Sequence, residues 1–328
     1  MENISVGILG TGSYLPEKIL TNRDLEKIVE TSDEWILTRT GIRERRICEK
    51  NQATSDIATI AAKRALEDAN VKPEEIDCII LATITPDTLC PSTACYVQNN
   101  IGAINAAAFD INAACSGFIY GATIAKSMIV AGTAKKVLVI GTETLSKFTN
   151  WQDRTTCILF GDGAGAAVIG EVEPGKGFLA EEIKSDGSLT ELIIIQAGGS
   201  RLPASPETVS NGKHTVTMKG NEVFKVAVKS MTDSLKNAIN KSGYSIQDIK
   251  CVIPHQANIR IIEAIARRLD VPIERFYINL DKYGNTSAAT IPIALDEAVK
   301  EGKIKRGDLI AFVAFGGGLT WGASVLIY

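Results

Sequence analysis

Seven cysteines and two histidines are the side chains of this 328-residue chain best suited to act as nucleophile or base near neutral pH. The cysteines stand at positions 48, 78, 90, 95, 115, 157 and 251. None forms a CxxC pair and the total is odd, so neither a disulfide framework nor a structural zinc site is expected, and a reducing cytoplasm is. Cys78 and Cys251 lie in apolar runs and read as inert core residues. Cys115 differs. It stands in Asn112-Ala-Ala-Cys-Ser-Gly, between an expected strand, Ala107 to Ile111, and an expected helix. A thiol at a helix N-terminus meets free N–H groups and the positive end of the dipole, which favour thiolate and can hold a developing oxyanion. Small neighbours would let a substrate approach closely. Read this far, a nucleophile and a packed cysteine both remain open.

His214, in Asn211-Gly-Lys-His-Thr, lies among polar residues and reads as an exposed loop or edge-strand residue. His255 follows an apolar run in Cys251-Val-Ile-Pro-His-Gln-Ala-Asn, at the carboxyl end of an expected strand, where α/β proteins build their sites. Asn285, in Tyr283-Gly-Asn-Thr-Ser-Ala-Ala-Thr, opens a further helix, either as its cap or as a polar donor.

The elements that must position these residues repeat weakly along the chain. The first copy runs from an amphipathic helix near Ser55 to Asn70, through a strand at Asp77 to Ala82 and an Ala-rich helix at Cys115 to Gly132, to a strand at Lys136 to Gly141. The second runs from a helix at Asn221 to Ser242, with Phe224, Val228, Met231, Leu235 and Ala238 at spacings of three and four. A strand at Lys250 to Ile253, a helix after Gly284 and a strand at Leu309 to Phe315 complete it. Each copy ends in a Gly-rich hairpin region, at Gly161 and at Gly316. Buried β-branched strands alternating with helices imply largely parallel sheets under helical cover. The halves are 1–172 and 173–328, divided near Glu171 to Lys176, and Ala197 to Asn211 reads as a loop insertion. Cys115 and Asn285 then face one centre between the halves, and His255 joins them.

Composition narrows the class. With 45% hydrophobic and 22% charged residues, 28 Gly and 10 Pro, the chain is globular rather than disordered, collagen-like or coiled coil. A net charge of -3 provides no global basic field for nucleic acid. The longest apolar stretch, Gly117 to Gly132, is interrupted by Lys126 and is too short to span a bilayer. No secretory signal is read at the N-terminus. A soluble cytoplasmic protein without nucleic-acid or membrane partners is expected.

Taken together, Ala114-Cys-Ser-Gly, Pro254-His-Gln-Ala-Asn, Tyr283-Gly-Asn-Thr-Ser-Ala and Phe315-Gly-Gly-Gly-Leu-Thr-Trp-Gly resemble the β-ketoacyl-[acyl-carrier-protein] synthase III family. They occur in the family's order and span nearly the whole chain. The resemblance implies a thiolase-like α/β fold: two pseudo-symmetric halves in a five-layered αβαβα core, as a homodimer. It also implies a reaction, condensation of a short acyl-CoA primer with malonyl-[acyl-carrier-protein] to start fatty acid synthesis. Cys115 would be the nucleophile, with His255 and Asn285 as donors to the enolate. The N–H groups of Cys115 and Gly317 would form the oxyanion hole. No metal or cofactor is implied; CoA thioester enters as substrate.

By the same resemblance, Trp35 and Arg154 sandwich the CoA adenine, Arg39 contacts phosphate, and Thr31, Gly220, Phe224 and Asn258 contact CoA. Lys225, Lys229 and Lys236 share one helix face, and Arg260, Arg267 and Arg268 lie on the next helix. This is either a solvated face or a docking surface for the acidic acyl carrier protein. Cys90, in Leu89-Cys-Pro-Ser-Thr, stands where many relatives carry Phe, a side chain that closes the partner's acyl channel. A wider channel is therefore expected, admitting primers longer or more branched than acetyl-CoA. A papain-like hydrolase is excluded because its Cys-Gly-Ser-Cys-Trp setting is absent. Related thiolase-fold enzymes making polyketides or quinolones use the same three residues, and a non-enzymatic acyl-CoA binder would need none of them.

Overall fold

The computed structural model describes residues 4–328. Two mixed sheets carry the fold. The first contains β1 (Val6–Tyr14), β2 (Cys78–Ala82), β3 (Ala107–Ile111), β4 (Lys136–Thr144) and β5 (Asp162–Glu171), in the order β1-β5-β4-β2-β3. The second contains β6 (Gly177–Ser185), β7 (Cys251–Pro254), β8 (Leu309–Gly316) and β9 (Thr320–Ile327), in the order β7-β8-β9-β6. The pairing pattern repeats. β2 and β4 are parallel, as are β7 and β8. The hairpins β4–β5 and β8–β9 are antiparallel, and β1 and β6 add antiparallel to their far sides. Only the first sheet has a full strand beyond β2, namely β3; the second has a single parallel bridge, Val252 to Phe276, in that place.

Largely parallel sheets are thus corrected to mixed ones. The misreading has a physical cause. Helices cover both faces of each sheet, so β5, antiparallel to both of its neighbours, is buried almost end to end, as parallel strands usually are.

Five helices form the layers. α1 (Thr54–Asp68) covers the outer face of the first sheet, and α3 (Gly220–Ser242) that of the second, beside α4 (Ile259–Leu269). α2 (Gly117–Val130) and α5 (Thr290–Lys300) lie between the sheets and touch both. Three apolar cores alternate with the sheets, and the middle one takes residues from both halves, such as Phe118, Ile119, Ile291 and Leu295. α3 shows how the pattern folds locally. Val223, Ala227, Val228, Met231, Leu235, Ala238 and Ile239 face the core at spacings of three and four, and Gly243 closes the helix at φ 80°. Burying Met231 or Leu235 contributes about 1.5–3 kcal/mol each. Phe224 departs from the expected stripe and stays half-buried. Among the described residues no helix is long and apolar enough to cross a membrane.

Candidate active site

Cys115 sits in a single 3-10 turn, Ala114–Ser116, immediately before α2. The turn forces Ala114 to φ 45°, a left-handed conformation unusual without glycine. Two hydroxyls lock it onto the β8–β9 hairpin: Ser116 Oγ donates to Thr320 O at 3.1 Å, and Thr320 Oγ1 donates to Ala113 O at 2.7 Å. Gly316 is needed for this approach, because a Cβ there would lie 2.5 Å from Cys115 N. The Gly317 N–H, just past the end of β8, donates to no backbone acceptor among the described residues.

The expected thiolate is not the resting state. Burial pushes the Cys115 thiol up to about 12, although its own backbone N–H pulls the other way. One turn of helix dipole does not offset that loss of water.

A second turn holds the other two candidates. Asn285 Oδ1 accepts the Ser287 N–H at 2.8 Å, so the carboxamide Nδ2 is left without a protein acceptor among the described residues. Asn285 is itself fixed by its backbone, whose N–H donates to Leu159 O at 2.8 Å and whose carbonyl accepts from Gly161 N at 3.0 Å. Ser287 is buried at φ 50°. Thr290, at the start of α5, places its hydroxyl 2.8 Å from His255 Nδ1 and 2.9 Å from Ser287 O. His255 continues β7, its N–H donating to Val313 O at 2.8 Å. Burial pushes its imidazole down to about 3, so the ring is neutral. The six residues from Asn285 to Thr290 therefore tie together the carboxamide and the imidazole, and their turn packs against the one that carries Cys115.

The two turns are twins in finer detail than the sequence suggested. In the first, Ala114 N–H donates to Asn112 Oδ1 at 3.4 Å, as Ser287 N–H does to Asn285 Oδ1. Ala114 and Ser287 share the left-handed conformation. The counterpart of Asn285 is thus Asn112, and that of Cys115 is Ala288. Gly117 would bring a Cβ within 3.4 Å of the Ala288 Cβ, so the turns meet where the halves join.

Two cavities approach this point. One, of about 720 Å³, is lined by Trp35, Arg39, Gly220, Phe224, Asn258 and Asn285, among others. Thr31 is not in its lining, and its Oγ1 is buried without a partner. Asn258 has both ends of its carboxamide engaged, Nδ2 donating to Arg39 O at 3.0 Å and Oδ1 accepting from Arg260 N at 2.9 Å. Arg39 and Arg154 both lie against the Trp35 ring, at 4.8 and 4.9 Å from its centroid. No ring fits between Arg154 and Trp35 at that separation; the expected adenine slot is filled by Arg154, anchored on Glu30 O at 3.1 Å.

The other cavity, about 770 Å³, is lined by Ala114 and Gly317 near the nucleophile, by Leu89, by the Ile193–Ile195 strand and by His214. His214 is therefore half-buried in a cavity wall, its Nε2 2.9 Å from Thr208 Oγ1, and not an exposed loop residue. The expected loop insertion before it contains a short helix, Pro206–Ser210, capped by Ser205. Composition alone does not reveal this helix, because Gly, Pro and Ser mark loops and short capped helices alike. Cys90 is exposed and lines neither cavity of its own chain.

Lys225, Lys229 and Lys236 are exposed along α3, and Arg260, Arg267 and Arg268 along α4. Lys225 and Arg260 reach the mouth of the cavity that contains Asn285. Arg267 lies 4.0 Å from Glu263. Among the described residues no cluster of three His, Cys, Asp or Glu side chains is placed to hold a metal ion. Sequence reading missed Ser287, Thr290 and the buried Glu143, which accepts from Thr83 and Thr85 beside this site.

Two repeated sheets enclosing a cysteine, a neutral histidine and a free carboxamide define an α/β enzyme of the thiolase fold. Comparisons with known proteins agree. Residues 109–187 match the family model described as 3-Oxoacyl-[acyl-carrier-protein (ACP)] synthase III, and residues 239–328 match that of its C-terminal part. The chain is 62% identical to a beta-ketoacyl-[acyl-carrier-protein] synthase III of Caldanaerobacter subterraneus, over 99% of this chain and 98% of that one. It is 58% identical to one from Clostridioides difficile, with the same coverage. The crystal structure of 3-oxoacyl-[acyl-carrier-protein] synthase III from Aquifex aeolicus aligns with a TM-score of 0.91 and 54% identity, covering 99% of this chain and 100% of that one. The chain belongs to the β-ketoacyl-[acyl-carrier-protein] synthase III family, acyltransferases that act as condensing enzymes.

Proposed function

We propose that this enzyme joins a short acyl-CoA primer to malonyl-[acyl-carrier-protein], with loss of carbon dioxide, and so begins fatty acid synthesis. The observation that carries the reading is the Asn285–Thr290 turn, which sets carboxamide and imidazole beside the turn that carries Cys115, between two cavities. Cys115 attacks the primer thioester and keeps the acyl group as CoA leaves. Thioester replaces thioester, so this step is close to thermoneutral. The N–H groups of Cys115 and Gly317 hold the tetrahedral oxyanion. Malonyl-[acyl-carrier-protein] then loses carbon dioxide, which draws the second step forward, and the enolate carbon attacks the acyl-cysteine.

His255 and Asn285 donate to the enolate oxygen. For Asn285 the donor is the free Nδ2. For His255 the donor is Nε2–H. This role needs the Thr290 hydroxyl to give its one proton to His255 Nδ1, 2.8 Å away, rather than to Ser287 O at 2.9 Å; the imidazole proton then sits on Nε2. Burial keeps the ring neutral across the physiological pH range.

The 720 Å³ cavity takes the CoA arm, with Trp35, Arg39, Gly220, Phe224 and Asn258 as contacts. The lysines of α3 and arginines of α4 receive the carrier protein. The 770 Å³ cavity takes the acyl chain, closed by Cys90 of the partner subunit in a cytoplasmic homodimer.

Mass spectrometry after mixing with acetyl-CoA tests the reading. A covalent acyl adduct is expected on Cys115, lost in Cys115→Ser, and retained in His255→Ala and Asn285→Ala while those two lose condensation. Acylation of Cys115→Ser, or condensation at the wild-type rate by either alanine variant, would refute the assigned roles.

A further inference from the structure

The bulkiest of the fully buried side chains among the described residues is a charged one. Arg45 lies in the short strand Glu44–Ile47 and is 0% exposed. Its partners are all neutral. Nη1 donates to Leu20 O at 3.2 Å and to Asn22 Oδ1 at 2.9 Å, and Nη2 donates to Ile158 O at 2.7 Å. Nε is buried without a partner, and no carboxylate pairs with the guanidinium among the described residues. Burial pushes Arg45 down to about 10, so it stays charged at neutral pH. A buried cation without an acid is costly, and an apolar side chain of similar volume often serves a core as well or better. Stability of the fold does not account for an arginine here.

What Arg45 touches is the frame of Asn285. The backbone of Asn285 is laced to Leu159 O and Gly161 N, and Phe160 pairs with it in a parallel bridge. Ile158, whose carbonyl accepts from Nη2, opens that stretch. The stem of Arg45 packs against the glycines beside the lacing. A Cβ on Gly161 would lie 3.1 Å from Arg45 Cβ, and one on Gly284 would lie 3.4 Å from it. At the other end of the fork, Asn22 accepts from Nη1 and passes the tie on. Its Nδ2 donates to Ile42 O and to Asp33 Oδ1, both at 2.8 Å. Asp33 opens the helix Asp33–Thr40, which carries Trp35 and Arg39. None of the Arg45 hydrogen bonds reaches Cys115, His255 or the turn before α2.

We propose that Arg45 is a positioning residue for Asn285: its fork holds the Ile158–Gly161 stretch in register, and that stretch aims the Asn285 Nδ2 at the enolate oxygen. The role needs a guanidinium. One rigid planar group donates to Ile158 O through one nitrogen and to Leu20 O and Asn22 Oδ1 through the other, whereas a lysine ammonium keeps the charge and loses the fork. A misplacement of about 1 Å can cost about a hundredfold in rate, so a small slip of this backbone is enough to be read.

The inference rests on Asn285 as a donor to the enolate, and the test tells the two apart. Malonyl decarboxylation is followed on enzyme acylated beforehand, and CoA release from acetyl-CoA is followed separately. Arg45→Met and Arg45→Lys should each lower kcat for decarboxylation at least about tenfold, with KM for malonyl-[acyl-carrier-protein] and the acylation rate within about twofold of wild type. Arg45→Lys carries the test if Arg45→Met does not fold. Added to Asn285→Ala, either substitution should leave the residual decarboxylation within about twofold, because the donor it serves is already gone; independent effects would multiply. Wild-type decarboxylation in either Arg45 variant, equal loss in both steps, or the full loss repeated on top of Asn285→Ala would overturn the positioning role. Wild-type decarboxylation by Asn285→Ala alone would instead overturn the donor.

Discussion

In the proposed mechanism Thr290 sets which nitrogen of His255 carries the proton, and that single hydroxyl is open to test. Thr290→Val keeps the shape of the side chain and removes the hydroxyl 2.8 Å from Nδ1. The imidazole is then free to hold its proton on Nδ1, which leaves Nε2 without one to donate. Loss of one charge-assisted hydrogen bond to the enolate, about 1.5–3 kcal/mol, should slow malonyl decarboxylation roughly ten- to a hundredfold. Acylation by acetyl-CoA should stay near wild type; equal loss in both steps would mean that Thr290 only supports the fold. Cys115, His255 and Asn285 were legible because each sits in a run of small or apolar residues at an element end. Ser287 and Thr290 lay in the same quoted motif but read as helix-start hydroxyls, which short polar side chains usually are. Glu143 was illegible for another reason. In Thr142-Glu-Thr it looks like a solvated strand end, and only the folded chain shows it to be fully buried.

Among the elements, α3 was the most legible, since its spacing of buried residues leaves one solution. The sheet directions were the least legible, because double-sided cover erases the alternation that marks antiparallel strands. The expected docking helices can be tested through α3 itself. Lys229 is exposed one turn beyond Lys225 and does not line the cavity that reaches Asn285. Lys229→Glu reverses a charge facing an acidic carrier protein. KM for malonyl-[acyl-carrier-protein] should rise at least fivefold at low salt, with the difference shrinking as ionic strength increases. Single-turnover acylation by acetyl-CoA should not change. An unaltered KM would leave this stretch of α3 as an ordinary solvated face.

At the scale of the whole molecule, the cavity beside Cys115 is wide, and in the proposed homodimer a residue of the second copy closes it. Leu89 is 86% exposed and Cys90 is exposed beside it, while β3 leaves its outer edge unpaired with Phe109 on it. Such an edge is a ready surface for a second copy. Cys90→Phe should then narrow the partner's acyl cavity. Each buried methylene contributes about 0.8 kcal/mol, so kcat/KM for hexanoyl-CoA relative to acetyl-CoA should fall at least tenfold in that variant. A steep acetyl preference in wild type, unchanged by the substitution, would reject the widened channel. The twin turns carry a further meaning. One half brings the thiol and, at the matching place, the other brings Ala288; Asn112 and Asn285 cap their own turns alike, and the second half alone adds His255. A symmetric pair of first halves would own two thiols and no imidazole. A symmetric pair of second halves would have the donors twice and nothing to acylate. The proposed reaction therefore needs two repeated halves that differ at their matching turns.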